Sequence, residues 1–159
     1  MDIPIKAKSY ELEAVAKLND TAPEIYKGKN PGFYWAAHQA SLQANKIDWR
    51  RVAEYRLDKL FTDKSYDNSS SIVSHLTLDD EDYKKTSEAM TEQFELKRPV
   101  QKAYCARNII KWAIMNLEKE DKTIYNEKNK EKELEDFYSL TLDEKLNKIY
   151  EKLIAIERV

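Results

Sequence analysis

Apolar side chains recur along this chain at three- and four-residue intervals, the spacing that gathers them on one face of a helix. Ala7, Tyr10, Ala14 and Leu18 share such a face and predict a first helix from about Lys6 to Leu18. A break follows at Asn19–Pro23, and Asn30-Pro31 then supplies an N-cap residue with a proline suited to the first helical position. The helix expected from Pro31 to about Asn45 carries Phe33, Ala37, Ala40 and Ala44 on one side and Trp35, His38 and Leu42 on another, so it should lie wedged between neighbours. Trp49, Val52, Ala53, Leu57, Leu60 and Phe61 predict a further amphipathic helix over Asp48–Phe61.

The stretch from 62 to 76, with its Asp67-Asn68-Ser69-Ser70-Ser71 run, reads as the longest loop and the mobile segment. Two short patterns, Leu76-Thr77-Leu78-Asp79-Asp80 and Leu140-Thr141-Leu142-Asp143-Glu144, each place a Thr three residues before an acid and mark helix starts. Val100, Ala103, Ala106, Ile109, Ile110, Trp112, Ala113, Ile114 and Leu117 leave the helix from Pro99 to about Asp121 apolar nearly all round, as the centre of a bundle would be. The charged tail over 122–159 closes on Leu142, Leu146, Ile149, Leu153 and Ile156. Their alternating four- and three-residue spacing is the seam of a short coiled coil. The fold class is therefore all-α: a single-domain bundle over 1–159, of about six or seven helices, with a central apolar helix near 99–121 and a C-terminal amphipathic helix.

Composition supports that class and narrows the chemistry. The chain has two glycines in 159 residues, Gly28 and Gly32. That scarcity disfavours hairpins and phosphate-cradling glycine loops, which rely on positive φ angles. Charged residues make up 35%, yet 27 basic residues nearly balance 29 acidic ones, which points to ion-paired helix faces rather than disorder. Cys105 is the lone cysteine, so neither a disulfide framework nor a cysteine zinc cluster is expected. The first residues lack a basic segment leading into an apolar run. No stretch reaches the ~20 apolar residues that span a bilayer. A cytoplasmic protein of a cell or a host, with no membrane association and no cofactor, is the expectation.

Five clusters could carry function. His38 and His75 are the histidines, and a His-centred enzyme site is one reading; no His-Glu-x-x-His pattern accompanies them, and structural histidines fit as well. Cys105 sits in the most apolar helix, where a thiol is a buried hydrophobe rather than a nucleophile. Trp49, Arg50, Arg51, Tyr55, Arg56 and Lys59, with Lys46 before them, interleave cations and aromatics as phosphate contact and base stacking require. A net charge of −2 argues against a nucleic-acid-associated factor all the same. Seven acids against two lysines over 79–95, followed by five cations and no acid over 96–117, suggest that two successive helices pair internally; the acids alone could also mimic a phosphate backbone. The C-terminal seam could dock onto a protein partner or a second copy, giving a homodimer. A non-enzymatic interaction protein, an adaptor, regulator or inhibitor of bacterial or viral type, is the leading expectation.

Overall fold

The computed structural model describes residues 1–61, 72–138, 146, 147 and 149–152, and for 121–138 it describes the backbone alone. Among the described residues the protein is mostly helical, 65% by residue, but it also holds a two-stranded antiparallel sheet, so the all-α expectation is corrected to that extent. In chain order the elements are β1 (Asp2–Ala7), α1 (Ser9–Thr21), α2 (Pro31–Leu42), α3 (Trp49–Ala53), β2 (Ile72–Thr77), α4 (Asp80–Gln93) and α5 (Lys102–Tyr138). Single 3-10 turns at Ala44–Lys46 and Leu57–Lys59 flank α3. The chain divides into two compact units, Met1–Asn116 and Leu117–Val159.

The sheet was hidden by its own composition. Asp2 to Ala7 alternates exposed with buried, Ile3, Ile5 and Ala7 facing inward, which is the period of a half-buried strand. Ala7 therefore belongs to β1, and α1 starts two residues later. β2 lies where the 62–76 loop was expected: residues 62–71 fall outside the described set, but from Ile72 the backbone pairs with β1, Ile3 opposite Leu76 and Pro4 opposite His75. Met1 and Leu78 exchange backbone hydrogen bonds at 2.9 and 3.1 Å. By alternation Pro4 and His75 form a non-hydrogen-bonded pair, so the missing proline N–H leaves no gap in the ladder. Both outer edges carry side-chain donors: Asn30 Nδ2 donates to the His75 carbonyl at 2.9 Å and Arg107 Nη2 to the Lys6 carbonyl at 2.9 Å. Covered edges resist strand addition by another chain.

Helix boundaries follow local chemistry. Pro31 opens α2 as expected, and Gly32 follows because a Cβ there would lie 2.2–2.4 Å from the backbone of Leu18 and Asn19. That close approach, with Gly32 N–H donating to Asn19 Oδ1 at 2.9 Å, locks α2 onto the end of α1. The helix expected over Asp48–Phe61 stops after Ala53. The Ala53 carbonyl accepts from Lys111 Nζ of α5 at 3.0 Å instead of continuing the backbone ladder, and the backbone has left the helical region at Arg56, with φ −101° and ψ 88°. Asp79, not Thr77, is the residue before α4, since Thr77 ends β2. The Thr141 start lies outside the described residues. At its far end α4 closes with Leu96 N–H on the Thr91 carbonyl and Glu95 N–H on the Glu92 carbonyl, Glu95 taking a left-handed φ of 55°.

The centre of the first unit is the N-terminal part of α5, as its apolar pattern predicts. Cys105, Ala106, Ile109, Ile110, Trp112, Ala113 and Ile114 are buried, together with Ile3, Ile5, Leu18, Phe33, Trp49, Leu76 and Met90. Asn108 is also fully buried; its Nδ2 lies 3.8 Å from Met90 Sδ, and its Oδ1 has no hydrogen-bond partner among the described residues.

Candidate functional site

The basic and aromatic residues of 46–61 are mostly tied into the fold. Trp49 has no exposed surface: its indole N–H donates to the Ala44 carbonyl at 3.0 Å and its backbone N–H to Gln93 Oε1 at 2.8 Å. It is a core residue, so it offers no face for base stacking. Arg50 donates from Nε to the Gln93 carbonyl at 2.7 Å, at the negative end of the α4 dipole, with Glu95 3.8 Å away. Arg56 is clamped bidentately by Asp58 at 3.0 and 2.7 Å, which lowers the Asp58 pKa. Tyr55 is half-buried; Arg50, Arg51, Arg56 and Lys59 are all exposed, Arg50 and Arg56 while paired as just described. The second basic run is also divided. Arg107 pairs with Glu11 of α1 at 2.8 Å, and among the described residues no ion pair joins the acids of α4 to cations of α5. The expected acid–base helix pairing is therefore replaced by pairing to α1. Lys97 and Arg98, with Leu96, Val100 and Tyr104, instead line a shallow groove of about 500 Å³ at the α4–α5 turn.

Two polar clusters emerge that residue order alone did not assemble. In the first, His38 on α2 faces Asp82 on α4, Nδ1 lying 3.3 Å from both carboxylate oxygens. Asp82 is 5% exposed. Its charge is tolerable there because it occupies the first turn of α4, at the positive end of the helix dipole, and because the Ser41 hydroxyl donates to it at 2.7 Å. Behind it Thr86 Oγ1 lies 3.7 Å from Cys105 Sγ. Tyr34, one turn before His38, donates to Asp79 at 2.8 Å, and that hydrogen bond raises the Tyr34 pKa. Beside Ser41 a groove of about 540 Å³ opens between α2 and α4, flanked by Leu42, Lys46, Lys85, Glu88 and Glu92. The order Ser41–Asp82–His38 is not that of a nucleophile activated by a base, because the serine hydroxyl donates to the carboxylate rather than to the imidazole. What the arrangement can do is hold one half-exposed imidazole in a fixed orientation. His75 sits apart, on the outer face of the sheet, with Nδ1 2.8 Å from Asp2. Among the described residues no group of three His, Cys, Asp or Glu side chains could hold a metal ion.

The second cluster joins the start of α1, the Leu57–Lys59 turn and α5. Glu11, 4% exposed, accepts from Arg107 and from the Lys8 backbone N–H at 3.1 Å. Burial raises the Tyr10 pKa and lowers that of Lys111, both within the field of Glu11, Asp58, Arg107 and Arg56. Sequence reading missed this cluster because Glu11 and Arg107 stand ninety-six positions apart. The one available signal was the presence of Arg107 and Lys111 on an otherwise apolar helix. Cys105 is inaccessible, and burial pushes its thiol up to about 11, which removes it as a nucleophile.

In the second unit, Leu146 and Ile149 of the predicted seam are 56% and 47% exposed, and Tyr150 is 66% exposed. Leu142, Leu153 and Ile156 lie outside the described residues. Among the described residues no helix is long and apolar enough to cross a membrane. No family model, curated protein or solved structure matches this chain.

Proposed function

We propose that this protein is a non-enzymatic interaction module, an adaptor, regulator or inhibitor that acts in the cytoplasm of a cell or host by contact with another protein. The observation that carries the reading is the exposure of Leu146 and Ile149. These two residues fall on the spacing of an amphipathic seam, and an apolar stripe of that kind gains stability only when something covers it. A second copy of the chain is one such cover, which would make the protein a homodimer; a helix of another protein is the other. The nucleic-acid alternative loses support from the interior position of Trp49 and the neutralised Arg56.

Affinity capture from the native cell or host separates these readings. A protein partner should be retained by the wild type after nuclease treatment, kept by Arg51→Ala with Arg56→Ala, and lost by Leu146→Asp with Ile149→Asp. Retention that vanishes with nuclease or the arginine pair, and that weakens steeply with salt, would instead establish the nucleic-acid reading. A second reading, an enzyme with a His-centred site, draws on the buried Asp82 that orients His38. That arrangement suits a proton acceptor. Unchanged behaviour of His38→Gln in every assay that detects an activity of the wild type would remove it.

A further inference from the structure

The turn between α4 and α5 is tied at both ends by one residue. The Thr91 carbonyl accepts from Leu96 N–H at 3.0 Å, and its hydroxyl accepts from Val100 N–H at 3.1 Å. Tyr104 has a packed neighbour in Phe94, with ring centroids 5.9 Å apart and planes tilted by 55°. The groove of about 500 Å³ over this turn is walled by Leu96, Pro99, Val100 and Tyr104. Val100 is buried, whereas Leu96 and Tyr104 are 47% and 41% exposed, so the groove presents apolar surface to water.

Its charge is of one sign. Lys97 and Arg98 line the groove, and no acidic residue does. Lys102, exposed at the start of α5, follows the lining residue Gln101. Among the described residues none of these three cations takes part in an ion pair or a side-chain hydrogen bond. The acid next to them in the chain, Glu95, lies 3.8 Å from Arg50, and residues 96–117 contain no Asp or Glu. The first turn of α5 adds the positive end of its dipole. The groove beside Ser41 differs on this point, since there Lys46 and Lys85 are balanced by Glu88 and Glu92.

We propose that the groove at the α4–α5 turn docks an acidic segment of a partner protein. Apolar side chains of that segment seat against Leu96, Val100 and Tyr104, while its carboxylates meet Lys97, Arg98 and Lys102. Charge complementarity selects this class of partner. A turn already tied by Thr91 lowers the cost of ordering the site on binding. A nucleic-acid strand fits less well, because it stacks bases on successive aromatic faces and Tyr104 is the one aromatic lining the groove. The groove belongs to the unit Met1–Asn116 and does not rest on Leu146 or Ile149.

The test uses the full chain and a short fluorescein-labelled peptide of Asp and Glu with a Leu and a Phe at its centre, read by anisotropy. Binding should saturate at low salt and weaken as ionic strength rises from about 0.01 to about 0.15 M, because the screening length shortens. Lys97→Gln with Arg98→Gln should weaken it by about fivefold or more, and Leu96→Ser by a similar factor. Leu146→Asp with Ile149→Asp should bind as the wild type does, which keeps this surface separate from the C-terminal seam. Absence of saturable binding, or equal binding by the Lys97 and Arg98 double variant, would overturn the proposal. So would equal affinity for a peptide with Ser in place of Leu and Phe, since that is charge attraction without a seat. Tighter binding of oligothymidylate would give the surface to nucleic acid instead. A mass increase with concentration in light scattering, lost in the double variant, would give it to a second copy. If Leu96→Ser lowers the melting temperature, the double variant decides, because Lys97 and Arg98 are exposed and hold no partner among the described residues.

Discussion

Residues 102–116 and 146–150 look alike in the sequence, each an apolar stripe at helical spacing, yet they meet opposite fates. In the first, Cys105, Ile109, Ile110 and Ile114 have no exposed surface and anchor the unit Met1–Asn116. In the second, Leu146, Ile149 and Tyr150 remain exposed. The difference teaches that periodicity states what a helix could bury, while the partner surface decides whether it does. The first unit has its partners in hand: α1, α2, α4 and an inward-facing sheet, with every strand edge carrying a side-chain donor.

The comparison breaks most sharply at Gly32. A methyl group there would meet the backbone of Leu18 and Asn19 at 2.2–2.4 Å, and backbone cannot rotate away as a side chain would. Gly32→Ala should destabilise the first unit by about 3 kcal/mol, measured by denaturant unfolding. A loss below half of that would mean that α2 can slide on α1, and that the unit is less tightly determined than its packing implies.

The next effect is a pH dependence confined to the buried stripe. Burial holds the Cys105 thiol neutral, raising its pKa from 9.0 to about 11. A group raised in the fold contributes stability fully present below its unfolded pKa and lost as pH climbs through the folded one. Between about pH 9 and pH 11, relative to Cys105→Ala, the wild type should lose about 2–3 kcal/mol. Lys111, whose pKa burial lowers, acts in the opposite sense, gaining stability as it deprotonates, so the difference between the two proteins is the quantity to follow. Parallel stability curves would show that the thiol is not desolvated. Thiol-reagent labelling should likewise wait on unfolding.

What could be read from residue order was what local chemistry decides. The α2 start at Pro31, the existence of α4 and of the apolar part of α5, and the burial of Cys105 follow from proline placement, spacing and hydropathy. The α5 bounds do not: it starts at Lys102 rather than Pro99 and runs to Tyr138, well past the expected end near Asp121. Neither Asn30 nor Asp79 caps its helix through its side chain. The sheet was missed because Pro4 disguises an alternating Asp2–Ala7 run, and because serines just before Ile72 suggest a loop. The α3 break was illegible for a different reason: it depends on Lys111, fifty-eight residues away, taking the Ala53 carbonyl. The same distance hides both polar clusters, since Asp82 and Glu11 acquire their partners only when helices far apart in the chain come together.

A smaller effect sits at the exit of α4. Glu95 holds a left-handed φ of 55° where glycine is the usual occupant, and its bridge to Arg50 is long and exposed. Glu95→Gly should therefore stabilise the first unit by about 0.5–1 kcal/mol. A loss of stability would instead assign real strength to the Arg50–Glu95 contact and its neighbour at the Gln93 carbonyl.

The smallest effect on stability is expected in the second region, and it carries the comparison furthest. If Leu146 and Ile149 are uncovered within one chain, the fold does not depend on them, and deletion after Ser139 should change the unfolding free energy of the first unit by less than about 0.5 kcal/mol. The same deletion should abolish any concentration-dependent mass increase in light scattering, turning a dimer into a monomer. Leu146→Asp with Ile149→Asp should reproduce both results, because a charge on an exposed face is hydrated at little expense whereas one in an interface is not. Unfolding of the deleted chain would reverse the reading: the seam would then be part of the core, and the two apolar stripes would differ in name only.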